Sequence, residues 1–596
     1  MRSLARRGAR ARRAAELVAC GLAPGALAGV HLAGLIFFLN PALPFNAGSV
    51  LRAAAVYAGM LGALSLALHL PLLWLARPRR VLPWTLTLAL SAAALLDWIN
   101  ASHFAYYLPT GINERLLKTA AWLSLAALIT FYTALLHTLH RRRYGRRSRI
   151  GLGLVSALSI LAMLERREAF HPRPAPPPRP AAVEVLKPPR LWVVGLDTAT
   201  LDAVLPLAGE GRLPFLARVL QQGAHGRLES LLPVRPESLW ITLATGKYPW
   251  QHGVAGGLLY SADRIAPGAE LRLLPLGVDF ARWGIPGGGS RLPRAFARQA
   301  LTLWEVLPRL GVPTATVSWP ASSPVSRETE FALSDRYFTE EPEAGNSAPP
   351  DLGQRARLFR PESRAVQDLL ASHFGPGSSP ALVEALSEDL WRESLSLALL
   401  DQQPRVGGFF LVLPGLRHIS RRFFGGFSAT QFHAAQAPDY RQAAERIADY
   451  YARLDAFLSE LWRRNRGNDV LAVVSAYGIE GSVGWRRLWG DLSREASLEG
   501  FVANGPDGVL MLYGAGIQPG ALITGARLVD VAPTLMYALG FPVARDLDGQ
   551  VLTSAFDKSF LEHNTLTFLP TYEALARPLN RPSAAPPTGS AGSAAP

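Results

Sequence analysis

Leu191-Trp192-Val193-Val194-Gly195-Leu196-Asp197 is an unbroken run of apolar and small residues that ends on a carboxylate. A strand with one wet face alternates polar and apolar residues; a strand without alternation is buried on both faces, as in a parallel sheet covered by helices. Four further runs read the same way: Thr314–Trp319, Gly408–Leu413, Val470–Val474 and Gly508–Tyr513. A helical pattern follows the first run through Leu220, with Gly223 as its stop signal, and another covers Tyr440–Arg464. Strands of this kind alternating with helices predict an α/β domain with a parallel-rich sheet and helices on both faces. The domain is expected to span residues 191–576. Two stretches with weaker strand–helix order, near 255–300 and 320–400, are expected to form a cap or insertions over the sheet.

Residues 1–165 have a different character. Five apolar runs, Leu17–Leu39, Ala53–Ala76, Val81–Ile99, Ala120–Leu139 and Ile150–Leu164, are separated by polar or basic breaks. A bilayer core takes about 20 helical residues, with about 17 as the floor. The first four runs meet or approach that length, while the fifth either spans or lies at the interface. An all-helical transmembrane bundle of about five helices is therefore expected, with the lipid bilayer as its partner. Six arginines precede Ala14, Arg77-Pro78-Arg79-Arg80 follows the second run, and six more arginines lie between His140 and Arg149. The intervening loops Asn40–Arg52 and Ser102–Lys118 hold one and two basic residues. Lys and Arg favour cytoplasmic loops, which puts the N-terminus in the cytoplasm and, with five spans, the large C-terminal domain outside it. A cleavable signal peptide would share the basic start of the first run, but that run is long and four more follow. Asp97 lies near one end of the third run, where an interfacial position accounts for it.

The formal charge of +15 invites a nucleic-acid partner. The arginines argue against one, because many sit in short clusters beside apolar runs and so set topology. The one cysteine, Cys20, lies within the first run and excludes an intrachain disulfide. Residues 166–190 contain six prolines between Pro172 and Pro180. Such a segment tends to extended polyproline and reads as a semi-rigid spacer that lifts the following domain away from the bilayer. Residues 577–596 are rich in Ala, Pro, Ser and Gly and are expected to be a disordered tail.

An ordered set of motifs then carries a resemblance. Val194-Gly195-Leu196-Asp197, Leu213-Pro214-Phe215-Leu216-Ala217 and Gly223 come first. Trp240-Ile241-Thr242-Leu243-Ala244-Thr245-Gly246, Pro249 and His252-Gly253 follow. Asp530-Val531-Ala532-Pro533-Thr534-Leu535, Gly540-Phe541-Pro542 and Asp546-Leu547-Asp548-Gly549 close the series. In this order they resemble the type I phosphodiesterase/nucleotide pyrophosphatase group of the alkaline-phosphatase superfamily, over nearly all of residues 191–556. The resemblance implies an alkaline-phosphatase-like fold. It also implies hydrolysis of phosphate or related esters by a Ser or Thr nucleophile with two divalent metals, usually zinc. Two metals lower the nucleophile's pKa and stabilise attacking and leaving oxygens, and each needs several Asp or His ligands.

Carried over position by position, the resemblance implies a degenerate site. The first-strand ligand is present as Asp197. The nucleophile position, ten residues before Gly246, is Pro236, which has no hydroxyl. Ser238 is either a substitute nucleophile or a helix-start serine capping backbone N–H groups. The Asp-x-x-x-His positions hold Arg417 and Arg421, the Asp-His pair is replaced by Ala476 and Tyr477, and the late His by Asn504. One of six ligand positions survives, and an arginine repels Zn²⁺ at close range. No cofactor is expected; two zinc ions belong only to the alternative in which catalytic residues have moved. Arg417 or Arg421 either pairs with Asp197 or points to solvent, and together they are candidates for holding a phosphate- or sulfate-bearing ligand. His252 reads as a fold element of the Pro-x-x-His-Gly turn, and His418 as the candidate for a relocated ligand or base.

Three function classes follow. The favoured one is a non-catalytic envelope protein, a pseudoenzyme, that binds a ligand or protein partner. The second is an active phosphodiesterase or phospho-head-group transferase with relocated residues. In the third, a membrane scaffold, the helical bundle performs the function. The fold alone selects none of them.

Overall fold

A computed structural model describes residues 2–75, 78–141, 144–171, 188–276, 290–291, 295, 298–338, 345–362, 364, 366, 380–433, 438–481 and 498–575. Most of the proline-rich spacer and the tail after 576 lie outside these residues. Five long helices come first: α1 (Arg2–Leu39), α2 (Ala47–Leu75), α3 (Pro78–His103), α4 (Thr110–Leu139) and α5 (Arg146–Glu168). All five are long and apolar enough to cross a membrane. The fifth apolar run, short by sequence, lies within a helix of 23 residues because flanking arginines extend it at both ends.

The remainder is a mixed α/β domain around a nine-stranded sheet. Its strands are β1 (Leu191–Leu196), β2 (Ala224–Glu229), β3 (Thr314–Val317), β4 (Phe331–Leu333), β5 (Ser347–Ala348), β6 (Gly408–Leu413), β7 (Val470–Ser475), β8 (Gly508–Gly514) and β9 (Ala521–Arg527). They lie in the order β9-β2-β8-β7-β1-β6-β3-β4-β5. β1 pairs in parallel with both β6 and β7, Leu191 facing Gly408 on one side and Val470 on the other. β8 runs antiparallel to its neighbours β7 and β2. An apolar run reports burial but not strand direction, so this reversal was not legible in its sequence.

The quoted run explains the layering. Every residue of β1 is buried, and successive side chains point to opposite faces. Leu191 and Val193 enter one core, whereas Trp192, Val194 and Leu196 enter the other. Gly195 breaks the apolar series for a steric reason. A Cβ there would lie 2.6 Å from the indole of Trp240, which belongs to α8 (Pro236–Thr245), the helix that follows α6 (Leu201–Gly209) and α7 (Pro214–Gln222). The turn after α8 holds His252, fully buried, with its Nε2 3.0 Å from Thr242 Oγ1 and its Nδ1 accepting from the Val254 amide. It is a fold element, as the motif suggests.

The domain is not lifted off the bundle. The core on one face of the sheet runs on into Phe38, Phe104, Tyr107 and Ile112 at the ends of the long helices. Asn40, just after α1, donates to the Leu273 carbonyl at 2.8 Å and accepts from the amides of Arg272 and Leu273 at 2.7 and 3.0 Å. Asn100 accepts from Leu276, and Tyr107 donates to the Pro233 carbonyl at 2.8 Å. Arg167, near the end of α5, donates to the carbonyls of Phe37 and Pro41. The stretch near 255–300 therefore serves partly as a seat for the bundle. It contributes a small sheet of Leu259–Ser261, Glu270–Leu271 and Ser290–Arg291. The spacer's expected role of holding the domain clear of the bilayer is corrected by these contacts: side-chain amides satisfy backbone groups that a free loop would leave to water.

Two outcomes follow. Asn40→Ala strands buried backbone groups at a cost of about 1–3 kcal/mol each, so hydrogen exchange at 271–276 should accelerate; unchanged protection would remove the clamp. Burial holds the His252 imidazole down at about 3, against an ordinary 6.5. The folded state keeps it neutral while the unfolded state protonates, so its contribution to stability is complete above pH 6.5 and is lost as pH falls towards 3. His252→Gln should flatten the dependence of the unfolding midpoint on pH between 6.5 and 4; an unaltered slope would assign that dependence to other groups.

Candidate functional site

In a parallel sheet, the residues just past the strand ends converge on one edge. Here β1 delivers Asp197, β3 delivers Ser318 and β6 delivers Pro414, and all three line a cavity of about 370 Å³. Two residues at this edge, Thr198 and Ser318, have φ of 69° and 58°. Such conformations cost non-glycine residues energy and cluster where geometry is imposed by a site. Pro236 and Glu237 at the start of α8 close one side of the cavity.

Pro236 is the first residue of α8, where its fixed φ and missing N–H suit a helix start. At the position where the resemblance implies a nucleophile, the side chain thus serves the backbone. Ser238 does not line the cavity. It is fully buried and its hydroxyl donates to the Val254 carbonyl at 2.7 Å, so it neither caps α8 nor faces a substrate.

Asp197 is 3 % exposed. Arg417 Nη1 lies 3.4 Å from its Oδ2, making the ion pair that sequence reading left open between Arg417 and Arg421. The charge of Asp197 pushes the Arg417 pKa further up. The Tyr477 hydroxyl feels both charges, and burial followed by Asp197 raises its pKa well above the ordinary phenol value. Asp197 Oδ1, Thr198 Oγ1 and the Tyr477 hydroxyl are buried without a well-formed hydrogen bond. Arg421 is exposed and does not line the cavity. Ala476 is fully buried, and Asn504 donates to Glu480 at 2.6 Å on the surface. The structure therefore gathers Asp197, Arg417, Tyr477 and Pro236, and leaves Arg421, Asn504 and Ser238 out. His418 lines the cavity, its pKa lowered by burial and by Arg417.

Position 417 is set by the helix that carries it. α10 (Gly415–His433) begins directly after β6, and the Gly415 amide donates to both oxygens of Asp389 at 3.2 and 3.0 Å. A Cβ at 415 would lie 2.0 Å from the Tyr450 hydroxyl, which itself donates to Asp389 at 2.7 Å. Asp389 belongs to α9 (Pro380–Gln402), a helix of the second insertion. The same helix sends Glu384, Glu388 and Arg392 into the cavity. Arg392 is held by Glu388 at 3.0 Å and donates to Ser318 Oγ at 2.8 Å. Sequence reading missed these residues, although their spacing of four places them on one face of a helix.

Among the described residues, five carboxylates (Asp197, Glu237, Asp335, Glu384 and Glu388) and three guanidiniums (Arg336, Arg392 and Arg417) line the cavity. Burial raises the pKa of Glu237, Asp335 and Glu388. The donors at the six ligand positions do not fit a pair of divalent metals. One carboxylate is already engaged by an arginine, and two arginines, an alanine, a tyrosine and an asparagine offer no set of hard or borderline ligands. Among the described residues no three His, Cys, Asp or Glu side chains are grouped to hold a metal ion.

No curated protein sequence matches the chain. Wild-type alkaline phosphatase PafA is similar over 63 % of this chain and 100 % of its own, at 12 % identity and a TM-score of 0.38. Human ectonucleotide pyrophosphatase/phosphodiesterase 5 is similar over 61 % of this chain and 97 % of its own, at 10 % identity and a TM-score of 0.37. The murine protein, solved as an inactive variant in complex with AMP, covers 60 % of this chain and 96 % of its own, at 10 % identity and a TM-score of 0.36. The description "type I phosphodiesterase / nucleotide pyrophosphatase" matches residues 191–488, half of the 596 residues. The chain belongs to the type I phosphodiesterase/nucleotide pyrophosphatase family.

Proposed function

We propose that this protein is a non-catalytic member of its family, a pseudoenzyme whose soluble domain binds a ligand or an envelope protein partner. Five helices long and apolar enough to cross a bilayer support a place in the membrane. The distribution of arginines supports a cytoplasmic N-terminus and an extracytoplasmic soluble domain. The observation that carries the proposal is the ion pair of Arg417 with Asp197. A guanidinium stands against the one retained ligand position and supplies the positive charge that a metal would otherwise bring. Pro236 at the helix start and the enclosed Ser238 hydroxyl leave no nucleophile at the positions the resemblance points to.

The lining of the cavity bears on what it binds. Carboxylates outnumber guanidiniums five to three. Arg417 and Arg392 are each engaged by a neighbouring carboxylate. Arg421 lies outside, so the two arginines considered as a joint clamp for phosphate or sulfate do not converge. A hydroxyl-rich or positively charged ligand suits this lining better than an anion.

The first test is metal content of the full-length protein, purified in detergent after growth with added zinc and manganese. Near-zero metal is expected, together with no phosphodiester hydrolysis above that of Asp197→Ala. One or two tightly held ions per chain, lost in Asp197→Ala, would overturn the proposal. The ion pair has its own test. Arg417→Ala leaves a buried carboxylate unpaired and should cost on the order of 2 kcal/mol, below the 3–5 kcal/mol typical of fully buried pairs, because the guanidinium is 30 % exposed. Adding Asp197→Asn should recover part of that loss in a double-mutant cycle. Additive losses would mean that the two groups are not coupled.

A further inference from the structure

The helical bundle contains a second cavity, about 190 Å³ in volume, formed by α1, α2 and α3. Its walls are apolar except for two side chains, His31 of α1 and Asp97 of α3. Both are almost wholly buried, at 1 % and 2 % exposure. His31 Nε2 is 3.1 Å from Ser159 Oγ of α5, which fixes the ring and leaves Nδ1 without a partner. Asp97 Oδ2 has no partner either. Asp97 is thus enclosed by the bundle rather than exposed on its surface. It lies six residues before the end of α3, about 9 Å along the axis at 1.5 Å per residue.

The cavity also has a way in. α1 packs along both α2 and α3, but α2 and α3 make no extended contact with each other. Leu64 of α2 and Ala92 of α3 line the cavity and are exposed on the bundle surface, Leu64 by 41 %. With the helices in a bilayer, the opening between α2 and α3 faces lipid. Charged and polar groups inside a membrane persist where they meet a partner, and Asp97 Oδ2 has none among the described residues.

We propose that this chamber is a binding site for one membrane amphiphile with a small head that donates hydrogen bonds, an ammonium or a hydroxyl, and carries no phosphate. The head meets Asp97, with His31 as the second polar contact, and the apolar part leaves between α2 and α3. An anionic head, phosphate included, would be buried among alkyl side chains with no Lys or Arg beside it among the described residues. The site is independent of the soluble cavity, and it requires only that the helices lie in a membrane.

The test uses the full chain in detergent, which first has to be required for its extraction from membranes; release by salt or carbonate alone would remove the premise rather than the site. Unfolding midpoints are then measured with oleylamine, oleyl alcohol and oleic acid. One or both of the first two should raise the midpoint by several degrees, and oleic acid should not. Asp97→Asn keeps a carbonyl acceptor and loses the charge, so it should abolish a shift caused by the amine and retain one caused by the alcohol, which distinguishes the two heads. Leu64→Trp, a change on the exposed rim that leaves the interior intact, should block either. An equal shift with oleic acid, a shift indifferent to both substitutions, or no shift with any of the three would overturn the proposal.

Discussion

A carboxylate at the end of the central, fully buried strand has to be neutralised. Desolvating an ion costs several kcal/mol, and a neighbouring opposite charge repays this only when its position is well fixed. In this chain the compensating charge is Arg417, and its position depends on where α10 begins. That start is fixed by the Gly415 amide on Asp389, a contact possible only because residue 415 lacks a Cβ. Asp389 is held in turn by the Tyr450 hydroxyl, while Arg453 of the same helix, α11 (Pro438–Trp462), binds Glu393 at 2.6 and 2.7 Å. The charge beside Asp197 is therefore set by a chain of buried polar contacts that starts in the second insertion. Helix α9 both lines the cavity, through Glu384, Glu388 and Arg392, and positions the charge beside Asp197.

The second constraint joins the two halves of the molecule. Backbone groups buried between the bundle and the sheet domain need partners. Asn40 and Asn100 provide them, each reaching a segment more than 170 residues away in sequence. Stacking of Tyr106 on Tyr248, with centroids 4.7 Å apart, and Arg235 over the Phe104 ring fill in the remaining surface. The apolar core that covers one face of the sheet continues into the helix ends, so the boundary between membrane part and soluble part is not a boundary in packing.

Much of this could be read from the sequence, for definable reasons. Unbroken apolar runs located the central strands because burial on both faces leaves a period-free signature. Helical runs located the bundle because the bilayer sets a length. The convergence of Asp197 and Arg417 followed from their places just past β1 and β6, two strands that the apolar runs had located. What escaped depended on long-range partners. Asn40 and Asn100 look like ordinary loop and helix-end polar residues until residues 272–276 come to meet them. Ser238 looked like a capping residue, but its hydroxyl is claimed by a carbonyl 16 positions later. The enclosure of Asp97 escaped as well, because sequence does not tell which side of a helix faces its neighbours.

The two asparagine clamps have a mechanical meaning. A globular domain on a proline tether would swivel, and load applied to it would be dissipated in the tether. Here a pull on the sheet domain is delivered through short, buried hydrogen bonds to the tops of α1 and α3, on either side of the chamber that holds Asp97. The load path thus runs through side-chain amides on α3 and just past α1 rather than through the chain that links the two parts.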